Sequence, residues 1–380
     1  MNPSGTEIAL VRAAPDVYGI HTGTALSREV SRGTQLRIRR GVYAESQSWS
    51  AAQPSQRYAA SMAATALSGS SRVFCRESAL VLHELPLLNV PEEVHLRTLH
   101  RSQVGVREQA GGLMFPTRLH EPALPRGVSR AQHRAEVGTL LSVDRSVDLG
   151  SNRTVVAIPY ELMTPACLQG FFSDPPSDPT FAKQPGETAS KTGLSGLTVP
   201  VEPLPLALLD TVPRMIFEEG VVVLDAALAR MAREGAELEE TLSPWRPFLR
   251  TARLQKAWAH AVGFADPRAE SVGESLSRVR ISALGFTVPQ LQTQVWVEGR
   301  EYRLDFEWQG GVVGEFDGKH KYTRSQELFG ISTEEALYRE KRREDAIRST
   351  GRRVVRWSWE DLHHPHILRD RLLRAGVPRA

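Results

Sequence analysis

Three acids and two lysines near the C-terminal end of the chain are of the types needed to handle phosphate. They are Asp305, Glu315, Asp317, Lys319 and Lys321, in the run YRLDFEWQGGVVGEFDGKHKY from Tyr302 to Tyr322. Carboxylates crowded into a small space repel one another and stay ionised only beside a cation. A hard divalent ion such as Mg²⁺ takes one or two carboxylates and completes its shell with water and phosphate oxygens. That is phosphodiester chemistry, and a lysine adds a compact point charge for a water or a phosphate oxygen. The plainer reading is a solvated hairpin with its charges on the outer face. The lysines weigh against it: the chain has six, and half of them, Lys319, Lys321 and Lys341, lie between positions 319 and 341.

The elements that must position these groups follow from periodicity. Tyr302, Leu304 and Phe306 alternate with Arg303, Asp305 and Glu307, the period of a half-buried strand. Gln309, Gly310 and Gly311 supply a turn, and Val312, Val313 and Phe316 rebuild an apolar strand that Asp317-Gly318 closes. Side chains two apart share a face, so Glu315 and Asp317 point the same way. With a short loop Asp305 lies across from Glu315, and the three carboxylates are expected at one spot. Upstream, AESVGESLSRV reads as a helix with Glu270 and Glu274 on one face, followed by LGFTVPQLQTQVWV as loop then strand. Downstream, Ser332 or Thr333 caps a helix that runs through EEALYREKRREDAIRST and stops at Gly351. On that helix Leu337, Glu340, Glu344 and Ile347 share a face, and Lys341, Arg342, Arg343 and Arg348 form the basic remainder, a solvated surface or a phosphate contact. Val354, Val355, Trp357 and Trp359 read as the final strand. His363, His364 and His366 flank Pro365, where chain geometry explains them better than a metal does.

This ordered run, DFEW, then VVGEFDGKHKY, then a basic helix and GRRVVRWSWEDL, resembles domain-of-unknown-function family 559. That family is similar to the very-short-patch repair endonuclease and, more broadly, to the PD-(D/E)XK restriction-endonuclease-like nucleases. The resemblance covers about Ser271 to Leu373. It implies an αβββαβ core, Mg²⁺ or Mn²⁺ as cofactor and DNA as partner. Carried over, Glu274 is the helix acid, Asp305 the first metal ligand and Glu315 the second, with the backbone carbonyl of Phe316 between them. Asp317 stands where the family pattern has its lysine, which passes the water-activating role to Lys321 or Lys319.

A second basic region opens the chain. LRIRRGVYA alternates as a strand with Leu36, Ile38 and Arg40 on one face and Arg37, Arg39 and Gly41 on the other. The stretches SRGTQLRIRRGVYAE, RYAASMAATAL, CRESALVLHELPLL and EEVHLRT are similar to the N-terminal region of proteins related to the antitoxin of AbiE-type, type IV toxin–antitoxin systems, over about residues 20–100. The resemblance implies a winged-helix-like α+β module in which Arg37, Arg39 and Arg40 meet DNA; a basic hairpin over a helical core is the plainer alternative. Helices are expected over Gln56 to Leu67 and Arg76 to Leu82, and a strand over Val94 to Thr98.

The chain's 380 residues divide into this N-terminal region (1–100), an irregular α+β extension (101–172) that is loop-rich over 101–135, a Pro/Gly/Ser-rich linker or loop (173–203), a helical scaffold (204–266) and the nuclease-like domain (267–380). The fold class is α/β, an α+β multi-domain chain with a helical middle. Net charge is +3 and the pI about 8.9, which permits nucleic-acid binding without requiring it. Two cysteines, Cys75 and Cys167, build neither a disulfide framework nor a four-thiolate zinc site. The sequence has neither an apolar run long enough to span a membrane nor a signal pattern at its start, and a cytoplasmic protein is expected.

Three functions compete on these residues. The first is a metal-dependent DNA endonuclease in which Lys341, Arg342 and Arg343 add backbone contacts. The second is a non-catalytic DNA-binding regulator that keeps the nuclease frame as a scaffold. The third, the weakest, is a toxin–antitoxin component acting by protein contact alone.

Overall fold

The computed structural model describes residues 8–13, 22–69, 72–107, 115–137, 139–148, 153–155, 197–318 and 342–380. The protein is mixed α/β with several small sheets. It divides into two units, Met1–Arg214 with Glu237–Trp258, and Met215–Ala236 with Ala259–Ala380.

In the first unit β1 (Leu10–Arg12), β2 (Gln35–Arg39) and β3 (Val42–Glu45) form an antiparallel sheet ordered β1-β3-β2. Helices α1 (Gly23–Ser31), α2 (Ser46–Ala51) and α3 (Pro54–Leu67) accompany it. Ile38, Val42, Ala44, Trp49, Ala60 and Ala64 make its core. The strict alternation expected for the basic strand fails between Arg37 and Arg39, where the register with β3 shifts. A bulge of this kind re-aims the next side chain, so Ile38 and Arg39 are both buried.

Helix α4 (Arg76–Leu82) falls where the sequence puts it and packs on β4 (Val94–Arg97). The stretch expected to be loop-rich instead contributes β5 (Gly105–Arg107), β6 (Thr117–His120) and α5 (Arg130–Glu136), with β4 parallel to β6 and β5 antiparallel to it. A third sheet has the order β8-β7-β9, from β7 (Val143–Asp148), β8 (Arg153–Val155) and β9 (Leu197–Val201). Strand β9 therefore ends the expected linker early. Val199 and Val201 are buried and Phe74 bridges to Val201, which anchors this Pro-containing strand. Helices α6 (Leu204–Thr211) and α8 (Leu238–Leu242) complete the unit.

The second unit contains α7 (Phe217–Arg233) and α10 (Val272–Ala283), while α9 (Ala252–Phe264) begins in the first unit and ends in the second. Its sheet runs β10 (Gln290–Val297), β11 (Arg300–Trp308), β12 (Val312–Asp317), β13 (Arg353–Ser358). The first two pairings are antiparallel and the last is parallel. A parallel neighbour needs a crossover, and residues 342–349 within it are helical, here α11. That helix stops at Gly351 as expected, with φ +81°. Gly310 and Gly311 take positive φ in the β11–β12 turn, a conformation that favours glycine.

Trp359 does not extend the last strand. It opens α12 (Trp359–His363), because Ser358 and Asp361 form a capping box at that point; α13 (Pro365–Ala375) follows.

Tyr302, Leu304 and Phe306 do not share one packing environment. Tyr302 and Leu304 join Val295, Val297, Val313, Ile347 and Val354, whereas Phe306 lies against Trp308 and Trp357. Burying such a ring is worth about 2–3 kcal/mol.

Candidate active site

Helix α10 is held close to the sheet by small residues and a few directed bonds. A methyl added to Gly273 would come within 2.0 Å of the Phe316 ring, and one added to Gly314 within 2.4 Å of Trp357. Neither position has room for a side chain. Trp357 donates its indole N–H to Ser277 Oγ at 2.8 Å. Asp225 of α7 and Arg278 of α10, both buried, form an ion pair at 3.0 Å, and Asp225 also accepts the Asp266 N–H at 2.7 Å. Burial raises the Asp225 carboxyl above its ordinary range, while the Asp266 amide and Arg278 work in the other direction.

Glu274 enters the buried N-terminus of α10 through this packing. Its carboxylate accepts from Ser271 Oγ at 2.9 Å, from the Glu270 N–H at 3.0 Å and from Gln292 Nε2 at 2.9 Å. Ser271 Oγ in turn accepts the Glu274 N–H. Ser271 thus caps the helix, and Glu274 holds the Ser271 hydroxyl and the Glu270 amide in place.

The β11–β12 hairpin brings Asp305 and Glu315 to one place. The ladder pairs Phe306 with Gly314, the residues that adjoin Asp305 and Glu315. Asp305 Oδ2 then accepts the Phe316 N–H at 3.3 Å. The first acid therefore sits on the peptide that follows the second.

Glu315 is buried, its side chain 7% exposed, and two arginines hold it. Arg343 Nη1 on α11 lies 2.8 Å from Oε1, and Arg356 Nη2 on β13 lies 2.7 Å from Oε2. The parallel register pairs Glu315 with Arg356. Arg343 also donates to the Arg303 carbonyl at 2.8 Å, and Arg356 reaches Glu344 at 3.3 Å. Glu344 has Arg348 on its other oxygen at 2.6 Å. This explains why an acid on that helix borders the sheet.

Asp317 is exposed at the end of β12, in register with Ser358. Asp305, Glu315 and Asp317 do not make the expected three-acid cluster: among the described residues no three His, Cys, Asp or Glu side chains gather as a metal site. Lys319, Lys321 and Lys341 lie outside the described residues, as do Ser332, Thr333, Leu337 and Glu340. Arg342 is exposed on α11. Arg356 went unremarked in the sequence, because nothing local marks an arginine on a buried strand as the partner of an acid one strand away.

The N-terminal arginines separate. Arg37 and Arg40 are exposed. Arg39 is 4% exposed and donates to Thr65 Oγ1, to the Ile38 carbonyl and to the Phe115 carbonyl. Burial lowers its pKa to about 10. As placed, it is a structural cation inside the unit.

Among the described residues no helix is long and apolar enough to cross a membrane. No protein-family model matches the chain, and neither a curated protein nor a solved structure matches it.

Proposed function

We propose that the second unit is a divalent-cation-dependent phosphodiesterase acting on DNA, an endonuclease of the PD-(D/E)XK and very-short-patch-repair-like type. The observation that carries this reading is the seat of Asp305 on the amide of Phe316, directly after Glu315. Two acids from adjacent strands thereby share one end of a hairpin. The order helix, three strands, helix, strand, with an antiparallel, antiparallel, parallel sheet, supports it.

The donor chemistry suits Mg²⁺ or Mn²⁺. The Asp305 and Glu315 carboxylates and the Phe316 carbonyl are hard oxygen donors that would hold such an ion, and Glu315 would exchange one of its arginines for it. When bound, such an ion polarises a phosphate oxygen and lowers the pKa of a coordinated water. Asp305 and Glu315 orient it, Arg343 and Arg356 supply positive charge beside it, and Lys321 or Lys319 stabilises the charge that develops on the phosphate. Arg37 and Arg40 of the first unit, with Lys341 and Arg342, add backbone contacts.

The test is nicking or cutting of supercoiled and linear DNA by the full-length protein with Mg²⁺ or Mn²⁺. Asp305→Ala and Glu315→Ala are expected to abolish it while the circular dichroism spectrum is kept. Cleavage that survives in both variants refutes the assignment.

A specific observation favours a second reading, the non-catalytic DNA-binding regulator. Glu315 is already neutralised by two guanidiniums, and Asp317 occupies the lysine position of the motif. On that reading the protein shifts DNA in a gel with sequence preference at high salt and cuts nothing with either metal.

A further inference from the structure

An ionised carboxylate buried as deeply as Glu315 requires a cationic partner. One bidentate arginine would meet that need. Glu315 instead has two from different elements, Arg343 from α11 and Arg356 from β13. Their side chains are 27% and 34% exposed, so each guanidinium lies between a buried acid and solvent. Among the described residues, ion pairs join Arg343, Arg348 and Arg356 to Glu315 and Glu344 around them. A guanidinium is a planar fork of five N–H donors matched to phosphate; Arg343 is also held by the Arg303 carbonyl and Arg356 by Glu344, so each keeps an anchor beside the solvent when it leaves Glu315.

We propose that Arg343 and Arg356 form a phosphate clasp latched on Glu315, which couples divalent-cation binding to nucleic-acid binding. In the free protein the latch is closed, with the guanidiniums neutralising Glu315. A cation that takes Glu315 and Asp305 releases the arginines, and a DNA phosphodiester receives them. A phosphodiester bound first draws the guanidiniums away and leaves Glu315 open to a cation. Each ligand therefore raises the affinity for the other by the same factor, as linkage requires. The identity of the two ligands rests on the phosphodiesterase reading, but the coupling is a property of binding and needs no turnover.

The experiment uses the full-length protein, a fluorescein-labelled mixed-sequence duplex at constant ionic strength, and Mn²⁺ binding followed by electron paramagnetic resonance. In the native protein Mn²⁺ is expected to tighten duplex binding by about tenfold. Arg343→Ala is expected to bind Mn²⁺ more tightly, to bind the duplex more weakly and to lose most of the coupling. Glu315→Gln keeps the side-chain volume but removes the charge that holds the latch. It is expected to bind duplex more tightly than the native protein without metal, and to lose the Mn²⁺ response. An Arg343→Ala variant with unchanged Mn²⁺ and duplex affinities overturns the proposal. So does a Glu315→Gln variant with weaker metal-free duplex binding. Absence of cleavage with the coupling intact would fail the phosphodiesterase reading and leave the clasp standing.

Discussion

Each unit has a cluster of arginines and acids, and the two differ in what lies at the buried centre. In the first unit the centre is a guanidinium, Arg97, which serves Glu202 and Asp210; Asp210, 12% exposed, is also paired with Arg76 at 3.0 Å and Arg214 at 2.7 Å. Arg97 Nε lies 2.6 Å from Glu202 and its Nη2 2.6 Å from Asp210, and Nη1 donates to the Glu121 carbonyl at 2.8 Å. Arg97 and Glu202 are 4% and 3% exposed. In the second unit one acid, Glu315, has two guanidiniums, each about a quarter to a third exposed. A cation locked among several acids inside a fold has nothing left to offer a ligand. An acid locked among several half-exposed cations can be unlocked by one. The depth of the central cation, buried for Arg97 and part-exposed for Arg343 and Arg356, separates a structural network from a latch.

The largest expected effect tests that distinction. Arg97→Met strands Glu202 in the interior, while Asp210 keeps Arg76 and Arg214, and breaking a buried pair from one side costs about 3–5 kcal/mol. Arg356→Met leaves Arg343 on Glu315 and solvent nearby, and is expected to cost about 1 kcal/mol. Urea denaturation of the two variants measures both. Equal losses would erase the contrast between the clusters.

A second difference is pH. In the first unit His95 Nδ1 and His120 Nε2 are 2.9 Å apart, with Glu77 3.3 Å from His95 Nε2. Burial first, and then Arg76 and Arg97, push the His120 pKa down from 6.5 to about 2; burial also lowers that of His95. A histidine depressed in the fold stays neutral where the unfolded chain binds a proton. Its contribution is therefore whole above about pH 6.5 and is lost progressively as pH falls towards 2. The two carboxylates act later and oppose each other. Burial raises Asp210, but Arg97, Arg76 and Arg214 outweigh it and hold the pKa at about 2, so it adds to the loss below about pH 4. Burial raises Glu202 against the pull of Arg97, and its protonation favours the fold. Thermal melts between pH 7 and 5 are expected to show falling stability in the native protein and a flatter profile in His120→Asn. A flat native profile would contradict this account.

What the sequence made legible was local. The β11–β12 hairpin, its glycine turn and the stop at Gly351 depend on neighbours a few positions apart, and α4 was visible from end to end. The partners of Glu315 were not, because the parallel crossover brings Arg343 and Arg356 to it from much later in the chain. Glu274 and Trp359 are different: Ser271 is an N-cap three residues before Glu274, and Ser358-x-x-Asp361 is a capping box, both in plain sequence. Those spacings place Glu274 in the first turn of its helix and end the last strand at Ser358. Strand β9 hid in a Pro- and Thr-rich stretch whose strand identity depends on pairing with β7 and on Phe74, both distant in sequence.

The basic strand sharpens the same lesson at the smallest scale. Arg37, Arg39 and Arg40 look interchangeable in sequence, yet the bulge turns Arg39 onto Thr65 and the Phe115 carbonyl and leaves Arg37 and Arg40 outside. An exposed arginine that meets a phosphate releases about one counterion, so its loss reduces the slope of log affinity against log salt by about 1. Arg37→Ala and Arg40→Ala are expected to show that change in duplex binding with the melting temperature preserved. Arg39→Ala removes hydrogen bonds to buried partners instead, at about 1–3 kcal/mol, and is expected to lower the melting temperature while the salt slope stays as it was. An Arg39→Ala variant that melts like the native protein but binds DNA with a shallower slope would place that guanidinium on the outside, and the division between inward and outward arginines in this strand would have to be redrawn.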